Sequence, residues 1–121
     1  SDVNFEQIAA WDPDVILVIN YFDDPKASVQ KLLSEPGWSD LRAAKEGEVY
    51  PFGKDTLSWD SASPRWGLGL LWTFKTLYPD LAEDVDMEQE IVKFYQWFGL
   101  SEEVIRENLV NAYMVEPELV N

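Results

Sequence analysis

The sequence predicts an α/β lobe in three layers, with helices on both faces of a small, mostly parallel sheet. Three observations predict it. Val15–Ile16–Leu17–Val18–Ile19 is an unbroken aliphatic run without polar alternation, the pattern of a strand buried on both faces. Val49–Tyr50–Pro51–Phe52 is a second, shorter strand-like run. Segments with helical spacing of apolar residues lie before, between and after the two runs.

The first helix begins at Asn4, a good cap, with Phe5, Ile8 and Ala9 at helical spacing. Trp11–Asp12–Pro13–Asp14 ends it, because Pro13 restricts its own φ and the conformation of Asp12. The strand Val15–Ile19 follows and opens into the loop Asn20–Pro25. A helical stretch over about Ser28–Leu33 turns Val29, Leu32 and Leu33 to one face, and Pro36–Gly37 interrupts it. Trp38–Lys45 makes a further short helical segment closed by Glu46–Gly47–Glu48. In the second strand Pro51 donates no main-chain hydrogen bond, so that strand is short or near an edge. Gly53–Ser63 is a long loop for a compact domain, and long loops carry function.

Ser63–Pro64 has the cap and first-position signature of a helix that runs to about Tyr78. Its spacing puts Trp66, Leu70, Phe74 and Leu77 on one inward face, with Leu68, Leu71 and Trp72 extending the burial. Asp86–Phe98 forms the next helix, with Ile91, Phe94, Tyr95 and Phe98 directed to the core and Gly99 ending it. Ser101–Glu102–Glu103 starts a final helix through about Leu109. Only two strands are evident, few for a self-sufficient domain, which points to a lobe of something larger.

The chain has 121 residues and a mass of 14.0 kDa, room for one modest domain. Its 46% hydrophobic content and six Trp supply enough apolar surface for a core, which excludes general disorder. Nine Lys and Arg stand against 23 Asp and Glu, a formal net charge of -14. Such a surface repels phosphate backbones and anionic headgroups, so nucleic acid and membrane surfaces are poor partners. There is no His and no Cys. That removes their nucleophiles, His general bases, zinc sites built on either residue, haem ligation by either, and disulfides. Val15–Ile19 is far shorter than the roughly 20 residues of a membrane span. The opening Ser1–Asp2–Val3 has neither Met nor a signal pattern, so a processed chain or a piece of a longer one is expected.

Paired acids are plentiful: Asp12 with Asp14, Asp23 with Asp24, Asp84 with Asp86. Such pairs serve glycosidases and metal sites. Here they flank turn prolines or precede a helix, where acids are favoured for structural reasons. The long loop is the better candidate. Lys54, Trp59 and Arg65 lie between the end of a strand and the start of a helix, the edge where open α/β sheets bind ligands. Trp59 in a polar setting offers a flat apolar surface, unless it caps the core. Arg65 opposes the helix dipole and calls for an anionic partner, either a ligand or a neighbouring Asp. Tyr21 and Phe22 leave the first strand on the same edge, either lining the cleft or packing beneath the loop.

The order of these segments resembles the periplasmic binding proteins for iron-siderophores and cobalamin. Phe5–Val18, with its Pro13–Asp14–Val15–Ile16 core, is similar to one family segment, and Trp38–Tyr50 to a second. Trp59, Ser63–Pro64–Arg65 and Leu77–Tyr78–Pro79–Asp80 resemble the family's ligand loop and long helix, and Phe94–Ser101 its terminal helix. The resemblance spans about residues 4–110. It implies a class III, three-layer lobe, residues 1–121 being the C-terminal lobe of a bilobal protein whose N-terminal lobe and linking helix are absent. It implies the solute-binding component of an ABC importer, extracytoplasmic, in the periplasm or lipid-anchored on the outer face of the membrane. Its guest would be an iron-siderophore, with cobalamin or haem as alternatives, delivered to the permease subunits. Neither enzyme activity nor a cofactor is implied; an acid-dependent hydrolase and a plain interaction module are the competing classes. Carried onto this sequence, the cleft aromatic falls on Trp59 and the permease-docking acid on Asp60, with Arg65 facing the cleft. Iron would not be ligated directly, because the chelator already fills its coordination sphere.

Overall fold

The computed structural model describes residues 2–53 and 57–114, Met114 as backbone alone. The chain divides into two compact units, Ser1–Phe52 and Gly53–Asn121.

In the first unit, helix α1 spans Phe5–Trp11. Asn4 Oδ1 accepts the Gln7 N–H at 2.9 Å and Gln7 Oε1 accepts the Asn4 N–H at 3.0 Å, a reciprocal cap that satisfies two otherwise orphaned donors. The helix stops at Asp12, whose φ of 43° is left-handed, ahead of Pro13. Strand β1, Ile16–Val18, pairs in parallel with β2, Val49–Pro51, so that Leu17 faces Tyr50 and Val18 faces Pro51.

Between the strands lie α2 (Pro25–Ser34), a 3-10 turn (Trp38–Asp40) and α3 (Arg42–Glu46). Helix α2 starts before the expected Ser28, because the Asp24 carboxylate caps the Lys26 N–H and Pro25 takes the first helical position. Val29, Ala43 and Val49 form the core of the unit, with Ile16, Val18, Leu33 and Ala44 against them. Two parallel strands joined through helices give the α/β class that the sequence predicts.

The second unit is helical among its described residues. It holds α4 (Trp66–Leu77), a 3-10 turn (Pro79–Leu81), α5 (Met87–Gln96) and α6 (Glu102–Ile105). A π-helical turn over Arg106–Val110 leads into α7 (Asn111–Met114). Asp86 and Ser101 cap α5 and α6 through their side chains. Lys75 Nζ, near the end of α4, donates to the carbonyls of Ala82 and Val85 at 3.3 and 2.5 Å and fixes the turn that follows.

Two burial expectations are corrected. Leu68 and Gly69 are the buried positions of α4, whereas Trp66, Leu70 and Phe74 are exposed. A helix that is apolar nearly all round gives no periodic signal to choose its inner face. Phe98 is also exposed, because α5 ends at Gln96 and the chain leaves helical phase before Gly99, with φ of 83°. Among the described residues no helix is long and apolar enough to cross a membrane.

Candidate functional site

Ligand loops gather at the C-terminal ends of parallel strands. In the first unit that position is the loop from β1 to α2. Its conformation is set by Asn20, a residue too common in loops to stand out in the sequence. Asn20 Oδ1 accepts the N–H groups of Phe22 and Asp23 at 2.9 and 3.0 Å. Its Nδ2 donates to Ser28 Oγ at 2.8 Å, and Ser28 Oγ donates to the Asp24 carbonyl at 3.1 Å. One amide therefore ties the loop to the first turns of α2, as Asx turns do.

On this pedestal Tyr21 and Phe22 project outward, 57% and 95% exposed. Both rings lie at the end of the strand, on the surface of the first unit. An open pocket of about 320 Å³ lies between the end of β1 and α2, with Asn20, Asp23, Ser28, Lys31 and Glu35 as its polar lining. Two carboxylates against one ammonium leave that lining without net positive charge, so Lys31 is its one cationic donor to an anion.

The remaining candidates belong to the second unit, apart from Lys54, which lies outside the described residues. Trp59 is corrected: the indole is 2% exposed and offers no surface to a ligand in this structure. Ser58 adopts a left-handed φ of 49°, and the indole ring lies 5.8 Å from the Tyr113 ring, tilted by 40°. A Cβ on Gly53 would meet Trp59 Cε3 at 2.9 Å. Burial of a large apolar ring outweighs the cost of its Nε1–H, which has no hydrogen-bond partner.

Arg65 precedes α4 rather than sitting in its first turn, and is half-buried. Its Nε approaches Ser63 Oγ at 3.4 Å, and its positive charge acts on the Tyr95 phenol. Asp60 is half-buried.

Three phenols titrate above their ordinary value. Burial pushes Tyr95 up, with Arg65 opposing. Burial, then the Glu88 and Asp86 carboxylates, raises Tyr113. The Tyr50 hydroxyl, which donates to Glu48 Oε2 at 2.8 Å, is raised chiefly by that hydrogen bond. Among the described residues no three Asp, Glu, His or Cys side chains are placed to hold a metal ion.

Residues 1–56 match the periplasmic binding protein family, a span that nearly coincides with the first unit. The chain is 32% identical to the molybdate-binding protein MolA of Haemophilus influenzae, over 79% of this chain and 27% of that protein. The solved structure of MolA bound to molybdate superposes with a TM-score of 0.64 at 29% identity, covering 79% of this chain and 29% of that one. A periplasmic solute-binding protein from Veillonella parvula gives a TM-score of 0.65 at 27% identity, covering 93% of this chain and 35% of that one. The chain therefore spans about a third or less of the length of these relatives. Its α/β fold is that of periplasmic solute-binding proteins, and its first 56 residues carry that family's sequence pattern.

Proposed function

We propose that this chain forms the C-terminal lobe of an extracytoplasmic solute-binding protein, which hands its ligand to the permease of an ABC importer. The observation that carries the reading is the β1–α2 loop: Asn20 holds Tyr21 and Phe22 outward at the C-terminal end of a parallel strand. A wall of a cleft needs side chains presented by a rigid base, and this loop supplies them. The match of residues 1–56 to the periplasmic binding protein family supports it.

The guest we favour is a tetrahedral metal oxyanion such as molybdate. Support comes from the likeness to MolA and from the Tyr21 hydroxyl, a neutral donor suited to an oxyanion oxygen in a chain this acidic. A ferric siderophore is the second reading, favoured by Phe22, whose exposed ring suits a large, partly apolar chelate. In either case the lobe binds and releases without covalent chemistry.

Calorimetric titration of the full-length gene product with molybdate, sulfate, phosphate and a ferric catecholate or hydroxamate tests this. Saturable one-to-one binding of molybdate is expected. Binding of the chelate alone transfers the assignment to the second reading, and no binding of any ligand contradicts both.

A further inference from the structure

Helix α2 turns one stripe toward the end of β1. Ser28, Lys31, Leu32 and Glu35 recur at the spacing of a single helical face, and all four line the open pocket of about 320 Å³. Tyr21 and Phe22 are not among its lining residues. Ser28 Oγ is committed to the Asn20 amide and the Asp24 carbonyl. The charged groups are therefore the strongest contacts the pocket offers.

Those charges are Lys31 on α2, Glu35 at its C-cap and Asp23 in the preceding loop. Elsewhere Arg42, Lys93 and Arg106 pair with carboxylates. Here one ammonium and two carboxylates share a pocket, yet none of the three has an ion pair or side-chain hydrogen bond among the described residues. Local geometry keeps them apart. Lys31 lies one turn before Glu35, the less favourable order for a helical pair. Helical geometry also ends at Glu35, whose ψ of 139° is extended. Asp23 is held through its own N–H, which donates to Asn20 Oδ1 at 3.0 Å. Beside the charges, Leu32 and the half-buried Trp38 supply apolar surface, and the Trp38 ring is seated 5.3 Å from that of Phe5.

A simple anion in this pocket meets two carboxylates, and a simple cation meets an ammonium. Among the described residues no three acidic side chains are placed for a metal ion. A molecule that carries both signs pairs with each. We infer that the pocket is a binding site for a small zwitterion with an apolar side chain, a free α-amino acid of the leucine or phenylalanine type. Lys31 donates to its carboxylate, Asp23 and Glu35 accept from its ammonium, and its side chain lies on Leu32 and Trp38. A volume of about 320 Å³ is at the small end of ligand sites, as a guest of this size requires. The site is separate from the surface of Tyr21 and Phe22 and adds a second ligand to the same unit.

Calorimetric titration of the full-length gene product with leucine, isopentylamine and isocaproate tests this, since the last two keep one charge each. Leucine should bind saturably, one to one, and each single-charge analogue at least about tenfold more weakly, the loss of a charge-assisted contact. Lys31→Met and Glu35→Gln should each weaken leucine binding by about tenfold or more. Both side chains are exposed, so the variants should melt as the wild type does. Excess molybdate should leave the leucine affinity unchanged. Absence of leucine binding overturns the inference. So does an analogue that binds as tightly as leucine, which reduces the pocket to a site for one sign of charge. Wild-type leucine affinity in either variant overturns it too, as does displacement of leucine by molybdate. A protein that binds leucine through Lys31 and Glu35 but binds no molybdate refutes the oxyanion reading alone.

Discussion

Asn20 and Ser28 are joined by a 2.8 Å hydrogen bond from the amide Nδ2 to the hydroxyl Oγ, and this contact docks the β1–α2 loop onto its helix. The same amide accepts two loop N–H groups, so all of its hydrogen-bonding capacity named here serves one turn. The loop's aromatic residues owe their outward presentation to this side chain.

Asn20→Ala removes the acceptor of the Phe22 and Asp23 N–H groups and one of the two partners of Ser28 Oγ, which keeps the Asp24 carbonyl. The loop N–H groups are exposed and water replaces their acceptor, so a loss of about 0.5–1.5 kcal/mol in folding stability is expected, read by chemical denaturation. Ligand affinity of the full-length protein should fall with it. An unchanged affinity would remove Asn20 from the site.

Phe22→Ala separates binding from folding. The ring is 95% exposed, so its loss should change stability by less than about 0.5 kcal/mol. The affinity for the preferred solute should drop by about tenfold, corresponding to about 1.4 kcal/mol. Calorimetry on the full-length variant reads both quantities.

Trp59 behaves oppositely. Trp59→Ala opens a cavity in the second unit and should cost about 3–5 kcal/mol, whereas Trp59→Phe keeps most of the packing and removes an unpaired donor, for a much smaller loss. Gly53→Ala should be destabilising by about 1–3 kcal/mol, because the new methyl meets the indole. Stability like the wild type for Trp59→Ala would contradict the buried position.

Alkaline pH should destabilise the protein through its phenols. Tyr113 and Tyr50 have folded-state pKa values above the unfolded value near 10.0. Their contribution is therefore complete below pH 10 and is lost as pH rises through the folded values. Thermal unfolding between pH 8 and 11 should show a fall beginning near pH 10, less steep in Tyr113→Phe. An equally steep fall in that variant removes Tyr113 as its source.

Arg42 clamps the turn between α1 and β1. It donates to the Asp12 carbonyl at 2.8 Å and pairs with the carboxylates of Asp12 and Asp14. The groups are largely exposed, so Arg42→Ala should cost only about 0.5–1.5 kcal/mol, less at high salt. Denaturation at low and at high ionic strength measures the difference.

Local signals made much of the fold legible. The Asn4 cap, Pro13, the Val15–Ile19 run and Pro51 each act within a few residues, and they locate α1, β1 and β2 as observed. Capping by Asp24 was missed because Asp24–Pro25 reads equally as a turn. Side-chain environment was less legible. Trp59 sits among polar neighbours in sequence, but its burial depends on Tyr113, fifty-four residues away, which no local pattern reveals. The exposed face of α4 was misjudged for the same reason, since tertiary packing alone selects among equivalent apolar stripes. Tyr21 and Phe22 are legible as candidates because they directly follow a strand, whereas the commonness of Asn in loops hides Asn20.

Hydrogen exchange of the segment Ile19–Asp24 in the full-length protein, with and without saturating molybdate, tests the site most directly. Marked slowing of exchange at Tyr21 and Phe22 is expected on ligand addition, and none at the buried Trp59. Solute binding that leaves Ile19–Asp24 unchanged while protecting residues elsewhere would contradict it.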